Sequence, residues 1–272
     1  MQEKGNNLSN KLTILKIGGS VITDKSGELS ARTEIINRIA DEIKKANINQ
    51  LIIVHGGGSF GHPIAKKYGI KEGLKQEYQK VGFAETHHVM TVLNGLFMDA
   101  LIWHNFPSVS VAPSSCVVTE NGRINFFDQT IIGSLLKMGI TPVLYGDAIL
   151  DSTLGFTVIS GDQIVSYLAR NFGADKIVIG VDVDGLCESD PKKTKNSKLY
   201  KHLTLKELED KKHSIAASNS LDVTGGMLGK INELTSAIEQ GIPVSIINAN
   251  EPNRVYKALT GSKVKGTLLE KE

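Results

Sequence analysis

Short runs of apolar, mostly β-branched residues alternate along this chain with longer segments in which apolar residues recur every three or four positions. Runs of four to eight apolar residues are typical of buried strands, and the longer period is typical of amphipathic helices. The pattern predicts strands at 12–17, 51–54, 108–112, 141–145, 176–181, 244–248 and 266–269, the last at a sheet edge, and helices at 32–45, 80–104, 162–172 and 227–240.

Strands that alternate with helices predict βαβ units and an α/β fold built on a largely parallel sheet, with helices on both faces. Such sheets bind ligands where the carboxyl ends of the strands open out. Glycines follow the first two strands and an Asp-rich loop follows Val181, so candidate chemistry gathers at that edge. We expect one domain over 1–272, in which residues 1–10 form a frayed polar tail.

The composition argues against several classes of protein. Thirty-one Lys and Arg residues oppose 29 Asp and Glu residues, whereas a nucleic-acid or membrane-surface binder needs a basic excess. Cys116 and Cys187 lie far apart and form no C-x-x-C pair, so a zinc ribbon is not expected. No apolar run approaches the ~20 residues of a membrane span, and the first residues show no leader pattern. A cytoplasmic protein is therefore expected.

The first strand ends in the segment Lys16-Ile17-Gly18-Gly19-Ser20. Glycines allow backbone N–H groups to approach a phosphate, and Ser20 adds a hydroxyl donor while Lys16 adds a positive charge. A tight turn with an incidental lysine would have the same sequence. This segment alone leaves both interpretations open.

The second strand runs into 54–62, with the sequence V-H-G-G-G-S-F-G-H. Glycines ahead of a helix form an anion site from free N–H groups and the helix N-terminus. The segment also matches G-x-G-x-x-G, which is typical of nicotinamide-dependent oxidoreductases. That fingerprint requires an acidic residue ~20 positions later at the end of a strand. Glu72 and Glu77 lie instead in a polar stretch, so the oxidoreductase ranks lower.

Three further segments follow in order: Ser160-Gly161-Asp162, then 180–191 with D-x-D-G-L and D-P, then 224–230 with T-G-G-M-x-x-K. Together with the two glycine segments, they resemble the amino-acid-kinase family from residue 12 to residue 269. The resemblance implies a three-layer αβα sandwich and the use of ATP with Mg²⁺. It also implies an acceptor-binding half over about 12–150, a nucleotide-binding half over about 151–272, and a homodimer.

Within that family, the extension 58–63 and Lys25 resemble the branch that phosphorylates isopentenyl phosphate. Fosfomycin kinases are similar and remain an alternative, as do kinases of amino-acid carboxylates. A member that only binds or regulates is a third possibility. The chain has five arginines, and none of them lies in a glycine segment. Because relatives that phosphorylate amino-acid carboxylates commonly bind the carboxylate with arginine, this favours a phosphate or phosphonate acceptor.

The resemblance also assigns roles to individual residues. It implies that Lys16 and Lys230 bind the ATP phosphates, that Lys25 contacts the transferred group, that Asp162 holds the lysines in place, and that His62 contacts the acceptor phosphate. We expect Gly57 and Gly161 to bind the acceptor together with His62. The remaining ATP-binding residues implied are Gly18, Gly19, Ser20, Gly58, Asp182, Gly185, Pro191 and Gly226.

Other histidines and apolar residues have simpler interpretations. His55 lies inside a strand end and is expected to be packed structurally. His87, His88 and His104 lack partners at metal-ligand spacing, so no protein metal ligand is predicted, and Mg²⁺ should take its ligands from phosphate and water. The helix at 80–104 has six large apolar residues, one or two of which could line an isoprenoid pocket: Phe83, Val89, Met90, Leu93, Leu96 and Phe97.

Overall fold

The elements of this chain form where the apolar periods predict them and end at residues suited to ending them. The computed structural model describes residues 11–24, 27, 29–189, 194, 197–217 and 226–272. The strands are β1 (Leu12–Ile17), β2 (Gln50–His55), β3 (Ser108–Ser110), β4 (Val117–Glu120), β5 (Arg123–Phe127), β6 (Thr141–Tyr145), β7 (Asp147–Asp151), β8 (Gly155–Ile159), β9 (Lys176–Val181), β10 (His202–Thr204), β11 (Val244–Asn248) and β12 (Gly266–Glu270).

The helices follow the 3.6-residue period of the sequence. They are α1 (Gly19–Ile22), α2 (Thr33–Ala46), α3 (Gly58–Lys67), α4 (Tyr78–Trp103), α5 (Thr130–Lys137), α6 (Gly161–Phe172), α7 (Leu205–Ala217), α8 (Gly226–Glu239) and α9 (Arg254–Thr260). Asn47 and Gly173 end α2 and α6 in the left-handed conformation that closes many helices. No helix of the described residues is long and apolar enough to cross a membrane.

Eight strands form one sheet in the order β10-β12-β11-β9-β1-β2-β6-β3. All neighbouring strands are parallel except β11 and β12, which confirms the largely parallel sheet. Because β1, β2, β6 and β9 lie side by side and point the same way, the segments that follow them meet at one edge. That edge holds the candidate site.

Two separate cores confirm the three-layer arrangement. Successive side chains of a strand point to opposite faces of a sheet, and Ile14 and Leu15 of β1 belong to different cores. Helices α5, α6 and α8 pack against one face, and α1, α2, α4 and α9 pack against the other. A strand covered on both faces carries apolar residues that point to either side, as Ile14, Leu15 and Ile17 of β1 show.

A second, four-stranded sheet has the order β5-β4-β7-β8 and is mostly antiparallel. It continues from the central sheet, because Gly146 alone separates β6 from β7. Asp151 at the end of β7 accepts hydrogen bonds from the N–H of Gly122 at 2.8 Å and of Leu154 at 2.7 Å, so one carboxylate closes two turns of this sheet.

Residues 266–269 form a strand, as predicted, but the prediction that this strand lies at the sheet edge is wrong. β12 lies between β10 and β11, and its parallel neighbour β10 pairs Leu203 with Leu269. β10 has three residues, which is too short for an apolar period to show in the sequence. The pattern also missed the second sheet and the helices α5, α7 and α9. The strands of that sheet and the helices α5 and α9 are short, and α7 is a longer helix whose sequence is mostly polar.

Candidate active site

Two lysines share one buried carboxylate at the carboxyl edge of the central sheet. Lys16 Nζ lies 2.8 Å from Asp162 Oδ1, and Lys230 Nζ lies 3.2 Å from Asp162 Oδ2. Lys16 is only 2% exposed and Asp162 only 7%. The site therefore has three charged groups that sum to one positive charge, in a part of the protein where charges are weakly screened.

Each member of this cluster is placed by a different element. Lys16 is the second-last residue of β1, and Lys230 lies in the second turn of α8. Asp162 lies in the first turn of α6, where the N-cap is Ser160, whose hydroxyl accepts from the N–H of Gln163 at 3.1 Å. An acid in the first turn is also stabilised by the helix dipole. Asp162 is therefore an acid of the first turn, and Ser160 is the N-cap.

Electrostatics hold this cluster in its charged state. Burial by itself would raise the pKa of Asp162, but the two neighbouring ammonium groups outweigh it and lower the pKa to about 2. Burial lowers the pKa of Lys16 to about 8, with Asp162 opposing the shift. Asp162 is thus ionised at every working pH, and Lys16 loses its proton more readily than an ordinary lysine.

The two glycine segments pack directly against each other beside this cluster. A Cβ on Gly19 would lie 2.1 Å from the nitrogen of Gly58, and Gly58 itself has a φ of +51°. Only glycine fits at both positions, since one lacks space and the other has left-handed backbone. Thr23 ties the segments together: its hydroxyl donates to the carbonyl of Gly19 at 2.8 Å and accepts from the N–H of Ser59 at 3.0 Å.

Two helices begin at this edge and supply anion-binding groups. Gly57 is the N-cap of α3, and Gly161 is the first residue of α6. The first N–H groups of a helix have no acceptor within the helix, and its dipole favours negative charge there. A Cβ on Gly161 would lie 3.3 Å from the carbonyl oxygen of His55 and 3.7 Å from Cε of Lys16. The α6 terminus therefore reaches both the second glycine segment and the lysine cluster.

The structure places most of the other predicted residues around the same edge. Gly18 and Ser20 lie at the start of α1, His62 is an exposed residue of α3, and Asp182 and Gly185 follow β9. The N–H of Gly18 donates to the carbonyl of Gly180 at 2.8 Å, which extends the sheet. Gly226 is the first residue of α8. Lys25 and Pro191 lie outside the described residues.

The loop after β9 is anchored by charge. Asp184 pairs with Arg254 at 3.4 Å and with Lys265, and it accepts from the side-chain amide of Asn248 at 3.3 Å. Gly185 has a φ of +144°, and a Cβ there would lie 2.5 Å from Thr267 Oγ1. These contacts anchor the loop that carries Asp182 and Gly185, which are both predicted to bind the nucleotide.

His55 is a packed structural histidine, as predicted. Its ring stacks between Phe97 and Tyr145, with centroids 5.5 Å away on each side, and it is fully buried. Burial lowers its pKa to about 4, and its Nε2 lies 3.2 Å from the side-chain oxygen of Asn94. A neutral ring here supports the strand end and adds no charge to the site.

The oxidoreductase interpretation has no support in the geometry. Glu72 lies in a 3-10 turn and Glu77 is the residue before α4, so neither closes a strand beside the second glycine segment. A dinucleotide fold needs an acid at such a strand end to bind the ribose. Among the described residues there is also no cluster of three His, Cys, Asp or Glu side chains that could hold a metal ion.

The sequence analysis missed a clamp that joins the β4–β5 hairpin to both helices of the cluster. Arg123 makes two parallel hydrogen bonds to Glu233 of α8, at 2.7 and 2.9 Å, one turn beyond Lys230. Gln163, the neighbour of Asp162, accepts from the N–H of Ile124 and donates to the carbonyl of Gly122. No local motif marks these residues, since Arg123 and Glu233 are 110 positions apart.

We expect Arg123→Glu to lower kcat/KM for ATP by about 3- to 5-fold, because an exposed pair of good geometry contributes at most about 1 kcal/mol and here orients the helix of Lys230. The reciprocal double variant Arg123→Glu/Glu233→Arg should recover to within about twofold. The matched control is the same exchange at Asp41 and Lys45 on α2, an exposed pair with no link to the site. Failure of the double variant to recover would show that the pair does not position α8.

Known proteins are similar to this chain over nearly its whole length. The family model described as amino acid kinase family matches residues 11–248. The isopentenyl phosphate kinase of Methanothermobacter thermautotrophicus is 41% identical over 266 residues, which are 95% of this chain and 98% of that protein. The isopentenyl phosphate kinase of Methanocaldococcus jannaschii is 41% identical over 271 residues, with the same coverage of 95% and 98%.

The fold is shared with a solved structure of the same activity. A chain described under "X-ray structures of isopentenyl phosphate kinase" superimposes with a TM-score of 0.83 at 39% sequence identity. The superposition covers 95% of this chain and 99% of that chain.

Proposed function

The chain belongs to the amino acid kinase family, and we propose that it transfers the γ-phosphoryl group of ATP to isopentenyl phosphate, which gives isopentenyl diphosphate. It is a phosphotransferase whose acceptor is a phosphate group. The observation that carries this function is the pairing of Lys16 and Lys230 with the buried Asp162, where the α6 terminus meets the two glycine segments. The similarity to the two isopentenyl phosphate kinases over 95% of this chain supports isopentenyl phosphate as the acceptor.

The chemistry requires little proton transfer. A phosphate monoester has its second pKa near ~6, so at neutral pH the acceptor is already a nucleophile. What the protein must supply is charge cancellation between two polyanions, in-line positioning, and stabilisation of charge on the moving phosphoryl group. Fixed ammonium groups and N–H groups at helix starts provide these without reorganising during the reaction.

The residues divide between the two substrates. We assign residues 12–150 to the acceptor and 151–272 to the nucleotide, with Lys16 reaching across to the ATP phosphates beside Lys230. Asp162 contacts both lysines and no substrate, so its role is to position them. Mg²⁺ enters as part of the MgATP substrate, and phosphate oxygens and water supply its ligands, since both oxygens of Asp162 are paired with lysine.

A small apolar cluster packs against Ala65 of α3, the helix that begins in the second glycine segment, and it suits the short hydrocarbon tail of the acceptor. It consists of Ile70, Ala148 and Phe156, with the partly buried Phe83 stacked on Phe156 at a ring distance of 5.1 Å. This cluster is separate from the two main cores. Of the six apolar residues that the sequence analysis named on α4, Phe83 is the one that packs here, whereas Val89, Met90, Leu93, Leu96 and Phe97 belong to the main core.

A carboxylate acceptor is disfavoured by the arginines. A kinase of amino-acid carboxylates would need a guanidinium group to clamp the carboxylate. All five arginines already contact other groups of the protein: Arg32, Arg38, Arg123, Arg170 and Arg254. Fosfomycin is also an anionic phosphorus compound, so the same site would suit it. A kinase assay with both acceptors distinguishes these two functions.

We expect a coupled kinase assay with MgATP to show the highest kcat/KM with isopentenyl phosphate. The panel should include dimethylallyl phosphate, fosfomycin, carbamate, N-acetylglutamate and uridine monophosphate, each at matched ionic strength. Mass spectrometry of the product identifies the diphosphate directly. A higher kcat/KM with fosfomycin or with an amino acid would contradict the acceptor while leaving the family membership intact.

We expect His62→Ala to reduce kcat/KM for the acceptor by roughly 10- to 150-fold, the range for losing one hydrogen bond to a charged group. His62 follows the glycines at the α3 terminus, whereas the loop after β9 belongs to the nucleotide half. The KM for ATP should stay within about twofold. His62→Gln retains a donor without charge and should keep more activity if hydrogen bonding dominates. Equal acceptor kinetics in His62→Ala and the wild type would remove this residue from the site.

We also propose that the protein is a homodimer. The outer side of α4 carries the exposed apolar residues Val92, Ile102 and Trp103, the last 81% exposed, and the adjacent edge strand β3 adds Val109. Exposed apolar surface of this kind is typical of an association site. Sedimentation equilibrium should give twice the chain mass, and a monomer mass at micromolar concentration would contradict the dimer.

A further inference from the structure

A histidine and a fully buried aspartate form a pair near the acceptor half of the site, and neither has a role in the function proposed above. His87 Nδ1 of α4 lies 3.0 Å and 3.1 Å from the two carboxylate oxygens of Asp147, the first residue of β7. The Asp147 side chain has no exposed surface and also accepts from the N–H groups of Ala148 at 2.8 Å and Ser114 at 3.3 Å. The His87 side chain is 35% exposed.

His87 lies one turn of α4 before Met90, which contacts the second glycine segment. Residues three and four apart lie on one face of a helix, so His87, Met90 and Asn94 form a row on α4. Asn94 contacts His55 at the end of β2. The Met90 sulfur would be 2.9 Å from a Cβ on Gly57, the N-cap of the helix that begins the acceptor site.

In the other direction along α4, the same row reaches the apolar cluster. Phe83 lies one turn before His87 and stacks on Phe156. Ala148, which follows Asp147 in β7, is a fully buried member of that cluster. The half-exposed ring of His87 therefore lies between an anion site and an apolar cluster, which is where the phosphate and the hydrocarbon tail of an alkyl phosphate would join.

The strand side leads to the same location. Asp147 follows Gly146, whose N–H donates to the carbonyl of His55 at 3.0 Å. A Cβ on Gly146 would lie 3.4 Å from the nitrogen of Gly161, the first residue of α6. Asp147 is thus one residue from the point where β2, β6 and α6 meet at the candidate phosphate site.

A bare carboxylate at this position would repel a phosphate dianion, because charges in a buried site are weakly screened. Burial raises the pKa of Asp147, while its hydrogen bond and charge interaction with His87 lower it. His87 compensates the carboxylate through one ring nitrogen. The other nitrogen, Nε2, lies on the opposite side of the ring and cannot contact Asp147 at the same time.

We propose that His87 is a second acceptor-binding imidazole: Nε2 donates a hydrogen bond to the phosphate of an alkyl phosphate monoester, and Asp147 is the positioning residue that orients the ring through Nδ1. In this arrangement the ring uses Nδ1 for Asp147 and presents Nε2 to the acceptor phosphate, so each ring nitrogen has its own partner. This inference rests on the proposed function and adds His87 and Asp147 to the residues that select the acceptor.

Four variants separate the two ring nitrogens. His87→Ala removes both, His87→Asn keeps an amide near the position of Nδ1, and His87→Gln keeps one near the position of Nε2. We expect His87→Ala and His87→Asn to lower kcat/KM for isopentenyl phosphate by about 10- to 150-fold, with the KM for ATP within about twofold. His87→Gln should retain more activity than His87→Asn, because it keeps a donor near Nε2 although it leaves the Asp147 carboxylate without its ring partner. His88→Ala, at the exposed neighbouring position, is the matched control and should match the wild type.

Binding and thermal unfolding complete the test. Calorimetric titration with isopentenyl phosphate requires no turnover and should show the same loss of affinity, and the melting temperature establishes that each variant is folded. Wild-type protein that neither binds nor phosphorylates isopentenyl phosphate contradicts the proposed function. A second outcome contradicts only the role of His87. In that outcome the wild type binds and phosphorylates isopentenyl phosphate, and folded His87→Ala or His87→Asn has a kcat/KM within about threefold of the wild-type value. Full recovery in His87→Ala/Asp147→Asn would also overturn it, since His87 would then only neutralise Asp147.

Discussion

An Asp162→Asn variant is expected to lose about 10³-fold in kcat, because two active-site lysines depend on this one carboxylate. Removing one preorganised charge-stabilising group from an active site costs about 10²–10³-fold, and Asp162 holds two such groups, Lys16 and Lys230, at 2.8 and 3.2 Å. Asparagine has nearly the same shape but no charge. Both ammonium groups would then lose their common counter-ion in a buried site.

The effect should fall on the chemical step. Interactions that act mainly in the transition state change kcat more than KM, so the KM for ATP should change less than kcat. Single-turnover measurements separate the phosphoryl transfer from product release. A kcat within tenfold of wild type would show that the lysines keep their positions without the carboxylate.

Asp151→Asn is the matched control for loss of stability. Asp151 is also buried, and although burial would raise its pKa, hydrogen bonds from the N–H groups of Gly122 and Leu154 lower it to about 2. It contacts no lysine and closes turns of the second sheet. We expect this variant to be destabilised by about 1–3 kcal/mol but to retain kcat, so that a common loss in both variants would point to folding and not to chemistry.

The second large effect is expected for Lys16. Lys16→Met should lower kcat/KM for ATP by about 10²–10³-fold, because it removes a preorganised cation from the phosphates while keeping the volume of the chain. The matched control is Lys176→Met, at the opposite end of the neighbouring strand β9. Lys176 is partly buried, whereas Lys16 is fully buried, and the Lys176 ammonium donates to the carbonyls of Ala258 and Leu259 at the end of α9. Equal losses in both variants would contradict a specific role for Lys16.

The pH dependence of the wild type tests the same residue. Burial lowers the pKa of Lys16 to about 8, so kcat/KM for ATP, which reports the free enzyme, should fall above about pH 8. Bound phosphates favour the charged form, so the corresponding limb of kcat should lie at higher pH. If kcat/KM for ATP and kcat fall at the same pH, Lys16 does not contact the nucleotide.

Stability should change in the opposite sense over this range. Between the folded pKa of about 8 and the unfolded value of 10.5, the unfolded chain binds more protons at this residue than the folded chain. The contribution of Lys16 to the free energy of unfolding therefore increases as the pH rises through this window. Activity lost above pH 8 is thus expected without a fall in stability from this group.

Much of this protein is determined by local sequence. The strands β1, β6, β9 and β11 are predicted to the residue, because apolar residues predominate in each of these short segments. Local sequence motifs also mark the glycines after β1 and β2 and the lysines at 16 and 230. Parallel strands deliver their carboxyl ends to one edge, so the general location of the site follows from the alternation of strands and helices alone.

Tertiary structure decided which side chains meet at that edge. Asp162 contacts a lysine 68 positions away, His87 contacts a carboxylate 60 positions away, and Arg123 contacts a partner 110 positions away. Neither a hydrophobic period nor a turn residue encodes such pairs, since periodicity reports only which face of an element is buried. The meeting of these residues depends on strand order and on the close packing of glycine segments, which are properties of the assembled sheet. For the same reason, His87 had no assignable role in the sequence and acquires one from the strand that lies opposite it.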